Sequence, residues 1–214
     1  MRHSICGSSE ATVGVRRTAQ RTGTTVVAVV GDAAADCVRR LGEATNVVAV
    51  SVDADDPPLD RAVATWADAV RAHTPYLVHD ADPLAVVADA WVRRYDEQGP
   101  FGELEVAVAE TLARWRVGSI ELPDYYLVLD AEAWGATRRH WYLGLLHGAA
   151  PARVIPVPDP EAAARTLGRL GAGAWWPDLD DLLEGIERVV PDELTPGQPS
   201  SAAEASAGDS ARIA

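Results

Sequence analysis

The chain has 214 residues, 48% of them hydrophobic and 24% charged, and a formal net charge of −13. That is enough chain for one well-filled core, and the negative charge argues against broad binding to a nucleic-acid backbone, which would be repelled at long range. All 19 basic residues are arginine, so a Schiff-base lysine, a P-loop lysine and a kinase lysine are excluded.

No apolar run approaches the roughly 18 residues that a membrane helix needs, and Met1–Gly7 has no apolar core of a secretory signal. Cys6 and Cys37 do not make a disulfide framework. The expectation is a soluble, cytoplasmic protein with free thiols.

Residues 1–22 are polar and arginine-rich and read as a loosely ordered lead-in, with room for an extra strand near Ala11–Val15. Residues 23–194 read as one α/β domain. Thr24–Asp32 is a short apolar run closed by glycine and aspartate, the pattern of a strand buried on both faces. Ala33–Ala44 then reads as a helix with Val38 and Leu41 inward. The next strand, 46–52, ends at Asp53. A second helix carries the stripe Leu59, Ala62, Val63, Trp66, Val70 and His73, with Pro58 in its first turn.

Pro75–Asp80 reads as the third strand. Pro83 opens a helix with Leu84, Val87, Trp91 and Tyr95 inward, which Gly99-Pro100 stops. Another helix follows, with Leu104, Val108, Thr111, Leu112 and Trp115 as its stripe and Glu110–Arg114 as an outer pair. One helix suffices for a crossover, so residues 83–116 hold a surplus helix, suited to a lid, a dimer surface or plain packing. Tyr125–Asp130 is the fourth strand, followed by a helix over 131–148. Arg153–Val157 is the fifth, and Pro156 places it at a sheet edge. Helices at Pro160–Leu170 and Leu179–Val190 close the domain. Residues 195–214 have almost no apolar bulk and read as a disordered tail.

Strands alternating with helices imply a three-layer, doubly wound, mostly parallel sheet of about five strands with helices on both faces, Rossmann-like, in an order the sequence leaves open. Ligands of such sheets bind beyond the carboxyl ends of the strands. Asp32, Asp53, Asp55, Asp80, Asp82 and Asp130 all fall there. Converging carboxylates hold hard cations such as Mg²⁺, and Asp53-Ala54-Asp55 and Asp80-Ala81-Asp82 have the D-x-D form of some metal-dependent transferases. Aspartate is equally a preferred helix N-cap, and the pairs Asp56-Pro57, Asp82-Pro83 and Asp159-Pro160 read as a cap followed by a first-turn proline. Capping is the reading preferred here.

His79, beside Asp80, is a candidate base or ligand, although neighbours in a strand point to opposite faces. Arg138, Arg139 and His140 are candidate anion-binding residues early in a helix. Cys37 reads as a small core residue. Trp175-Trp176 in a loop reads as a plug rather than a partner-binding patch. No G-x-S-x-G elbow and no dinucleotide fingerprint or P-loop is present. The expected function is binding of a small ligand or a protein partner at the C-terminal sheet edge, with a homodimer through the extra helix pair. The alternative is a divalent-metal-dependent enzyme acting on a phosphate ester or nucleotide through the strand-end aspartates.

Overall fold

The computed structural model describes residues 18–52, 55–96, 99–171 and 173–191. The expected lead-in strand near Ala11–Val15, Cys6, Asp53 and the expected tail lie outside them. Within them is one five-stranded, all-parallel sheet: β1 (Thr25–Val30), β2 (Val47–Val50), β3 (Tyr76–His79), β4 (Tyr125–Leu129) and β5 (Val154–Val157). The spatial order is β2-β3-β1-β4-β5. With helices on both faces this is a three-layer α/β, Rossmann-like fold.

The helices are α1 (Ala34–Leu41), α2 (Pro58–Arg71), α3 (Ala85–Tyr95), α4 (Glu103–Arg116), α5 (Ala136–Arg139), α6 (His147–Ala149), α7 (Pro160–Leu167) and α8 (Leu179–Leu183). Alternation along β1 sorts them. Val27 and Val29 face α1 and α7, together with Cys37, Val38, Leu41 and Leu167. Val26, Ala28 and Val30 face the other layer, where α2, α3, α4 and the β4–β5 connection pack. The surplus helix packs on the domain: α4 buries Leu104, Ala107, Thr111 and Trp115, and α3 and α4 are mutual neighbours.

Several elements differ from the expectation for physical reasons. On α2 the buried set is Ala62, Thr65, Trp66 and Ala69, while Val70 is 48% exposed and His73 lies beyond the helix. The apolar stripe is thus rotated towards the small residues that let α2 approach the sheet. Arg114 pairs across to Asp60 of α2 (3.3 Å). The expected helix over 131–148 is broken. Asp130 takes a left-handed backbone (φ 48°) and leads into a 3₁₀ turn, Ala131–Ala133. Gly135 precedes α5, and His140–Leu146 is a π-helix running into α6. The last helix stops at Leu183, because Gly185 takes a left-handed φ of 70° before a 3₁₀ turn. Pro156 does lie on an edge strand.

The capping expectation fails after β1, β2 and β4 and holds after β5; after β3 the Asp82 carboxylate accepts the Leu84 N–H just ahead of α3. The residue before α1 is Ala33, with no side-chain cap, and Pro57 precedes α2 in the same uncapped way. Asp130 does not cap its turn with its side chain. Asp159 does cap α7, accepting from the Ala162 N–H at 2.7 Å, and Asp178 caps α8. Asp130 occupies the cap position of its turn, but in a left-handed backbone and with no cap bond from its carboxylate, and Asp32 lies one residue ahead of the cap position of α1.

Trp176 plugs the N-terminal edge of the sheet. Its indole N–H donates to the Pro123 carbonyl at 2.8 Å, and its ring stands edge-on to Tyr126 with centroids 5.7 Å apart. Trp175 lies between the guanidinium groups of Arg21 (3.9 Å) and Arg153 (4.9 Å).

Candidate functional site

β1 is the topological switch. Its outgoing connection leaves to the α1 face, whereas those of its neighbours β3 and β4 leave to the opposite face. Divergent connections open a crevice at the carboxyl ends of the strands. A cleft of about 210 Å³ lies there, lined from β1 by Val30 and Gly31, from the end of β3 by Asp80 and Asp82, from α2 by Arg61, from α3 by Asp89, and by Arg138 and Tyr142.

Gly31 makes the crevice. Its φ is +139°, and a Cβ there would stand 2.8 Å from the Leu129 carbonyl and 3.3 Å from the Trp134 ring. Only glycine lets β1 turn this close to β4.

Arg61 pairs with Asp80 at 3.3 Å, both largely shielded. Asp82 is buried to 7% exposure and accepts three hydrogen bonds: from the Leu84 N–H at 2.8 Å, the Tyr126 hydroxyl at 2.7 Å and the Tyr142 hydroxyl at 2.8 Å. Burial pushes its carboxyl above the ordinary aspartate value, against the pull of those three donors. Both tyrosine hydroxyls are pushed well above the usual range, first by burial and then by the Asp82 charge. Tyr142 therefore stays protonated and acts as a donor.

Arg138 lies at the start of the π-helical wall with its guanidinium 5.0 Å from the Trp134 ring centre. No carboxylate pairs with it among the described residues. Asp89 of α3 is exposed and also lines the cleft.

The strand-end candidates thus separate. Asp80 and Arg138 line the cleft, and Asp82 forms its floor. Asp32, Asp55 and Asp130 are exposed and do not line it. Arg139 turns towards Glu132 (3.9 Å), and His140 stacks on Trp91 with ring centres 6.0 Å apart. His79 lies buried at 3% exposure, its basicity pushed down to about 4, chiefly by burial. Cys37 is wholly buried, and burial raises its thiol to about 11.

Sequence reasoning missed Arg61, Asp89, Tyr126 and Tyr142. Arg61 carried one legible signal: it sits one turn into the helix that follows β2, at the end facing the strand carboxyl edge. Among the described residues no three side chains of His, Cys, Asp and Glu come together in a metal-holding group.

Comparison with protein-family models, curated proteins and solved structures finds no match to this chain.

Proposed function

We propose that the domain binds a small polar molecule in the cleft at the end of β1, and that the molecule carries an anionic group at one end and a hydroxyl or amine at the other. The observation that carries this reading is Arg138: a half-buried guanidinium, 5.0 Å from the Trp134 ring centre, in a cleft, with no ion-pair partner among the described residues. A guanidinium so placed offers a donor fork to a carboxylate or phosphate. Asp80 and Asp89 supply acceptors in the same cleft. The dimensions fit a molecule of a few carbon atoms, since drug-sized ligands occupy roughly 300–1,000 Å³.

The reading concerns binding. No nucleophile with an adjacent base lines the cleft, and Asp82 is already committed to three donors. The metal-dependent alternative has no cluster of ligands among the described residues to support it.

The test is a thermal-shift titration with inorganic phosphate, glycerol 3-phosphate and serine, repeated on Arg138→Gln. Probe at about 100 times its dissociation constant stabilises by roughly 2.7 kcal/mol. The expected result is a rise in melting temperature with at least one probe in the parent, absent in Arg138→Gln, with both proteins melting alike when no probe is added. No rise with any probe, or equal rises in parent and variant, removes the assignment to Arg138.

A further inference from the structure

Five buried side-chain polar atoms among the described residues have no hydrogen-bond partner in the protein: Arg61 Nε, Thr65 Oγ1, His79 Nδ1, Thr111 Oγ1 and Trp141 Nε1. The first three lie on two neighbouring elements, α2 and β3. Arg61 and Thr65 are four apart on α2 and so share one face. One turn further along, Ala69 shares an apolar cluster with Leu77 of β3. As the return leg of a parallel crossover, α2 runs opposite to the strands. Stepping back four residues along the helix, about 6 Å, matches stepping forward two along β3, about 6.6 Å. That step sets Thr65 level with His79. Arg61 stands within electrostatic reach of the same ring and spans from there to Asp80 in the cleft.

Their chemistry is complementary to one small molecule and not to one another alone. Arg61 Nε–H only donates. Burial keeps the His79 ring neutral near pH 7, so it carries one accepting nitrogen, and Nδ1 has no partner in the protein. The Thr65 hydroxyl does both. A helical threonine commonly satisfies its hydroxyl on a carbonyl of the preceding turn; that of Thr65 has no partner at all. Thr65 and His79 are each 3% exposed, so bulk solvent does not serve them. Internal waters typically make about three hydrogen bonds to buried groups of this kind.

We propose that Arg61 Nε, Thr65 Oγ1 and His79 Nδ1 share one internal water molecule, which accepts from Arg61, donates to His79 and pairs with Thr65. This water is a structural ligand behind the cleft. It holds the stem of Arg61, so that the terminal guanidinium nitrogens point at Asp80. The inference stands independently of what the cleft itself binds.

The deciding experiment is a crystal structure of the full chain at about 1.5 Å, with the parent compared against Thr65→Val and Thr65→Ser in melting experiments. The expected result is one ordered water within about 2.7–3.2 Å of all three atoms, a lower melting temperature in Thr65→Val and recovery in Thr65→Ser. A dry site, or direct pairing between two of the three atoms, overturns the proposal. So does a higher melting temperature in Thr65→Val, the behaviour of a hydroxyl buried with nothing to bind. If Thr65→Val does not fold, the density in the parent decides alone.

Discussion

The Tyr142 hydroxyl donates to Oδ2 of Asp82 over 2.8 Å, while Oδ1 of the same carboxylate takes Tyr126 and the Leu84 N–H. One buried carboxyl thus joins the end of β3, the middle of β4 and the π-helical wall. Tyr142→Phe removes one of its three donors without opening space, and should cost about 1–3 kcal/mol in denaturant unfolding. Asp82→Asn keeps the shape and removes the acid. Because the folded carboxyl titrates above its unfolded value, the folded state holds more protons just above the ordinary aspartate range. The Asp82 contribution therefore falls as pH rises from about 3.8 through the raised folded value. Parent stability minus that of Asp82→Asn should fall across that window. A flat difference would mean the carboxyl titrates normally.

His79 works in the opposite direction. Its basicity is pushed down from 6.5 to about 4 in the fold, so the unfolded chain binds the extra proton between those values. The folded state loses stability as pH falls from 6.5 to about 4, with a slope of up to about 1.4 kcal/mol per pH unit. His79→Leu should lack that component of the slope, whatever its stability at neutral pH. Urea unfolding at several pH values in this interval reads it directly.

Gly31→Ala should be among the most damaging single substitutions. The backbone angle alone costs about 1–3 kcal/mol for a side chain, and the new Cβ would stand 2.8 Å from the Leu129 carbonyl, which is backbone and cannot swing aside. Gly102 also has a positive φ, 88°, but nothing lies within 4 Å of its Cβ position. Gly102→Ala should therefore cost the dihedral term only. Comparing the two by chemical denaturation separates crowding from strain.

Arg153 anchors the Trp175-Trp176 loop. It is 4% exposed and donates from Nε to the Ala174 carbonyl at 2.9 Å, from Nη2 to Gly173 at 2.7 Å and from Nη1 to Asp124 at 3.3 Å. Arg153→Lys keeps the charge and loses the fork. The expected result is faster amide exchange at residues 173–176 and a loss of about 1–3 kcal/mol. Trp176→Phe should cost less, about 1 kcal/mol, for its single hydrogen bond to Pro123. Unchanged exchange in Arg153→Lys would show that the aromatic packing alone holds the loop.

β1, β3 and β4 were legible because each is a short apolar run buried on both faces; β2 and β5 are edge strands with one or more exposed positions, and Pro156 marked its edge correctly. The order β2-β3-β1-β4-β5 was not, since it depends on which face each connection crosses, and no local pattern encodes that. The cleft was half legible. Asp80 and Arg138 stood out as charges at strand ends and helix starts. Tyr126 and Tyr142 looked like ordinary apolar stripe residues, because a buried hydroxyl reveals itself only by what it meets across the core. The aspartates misled for a related reason. Asp32 and Asp130 have the composition of caps, but a cap is defined by where the next helix begins, and those starts are set by Ala33, Gly135 and the left-handed turn at Asp130.

The π-helix at His140–Leu146 has a consequence for how this wall tolerates length. A π turn holds one residue more than an α turn, so the segment behaves as an α-helix with a single residue inserted. Removing Gly144, whose Cα already faces the His140 ring at a distance that excludes a side chain, would let the segment revert to regular α-helix. Five residues at π spacing and four at α spacing sweep about the same angle, so the flanks would keep nearly the same facing. Trp141 and Leu146, both fully buried on this segment, would stay turned to the core. The extra residue is therefore a local feature of the wall, and a one-codon deletion of Gly144 should leave the rest of the fold in register.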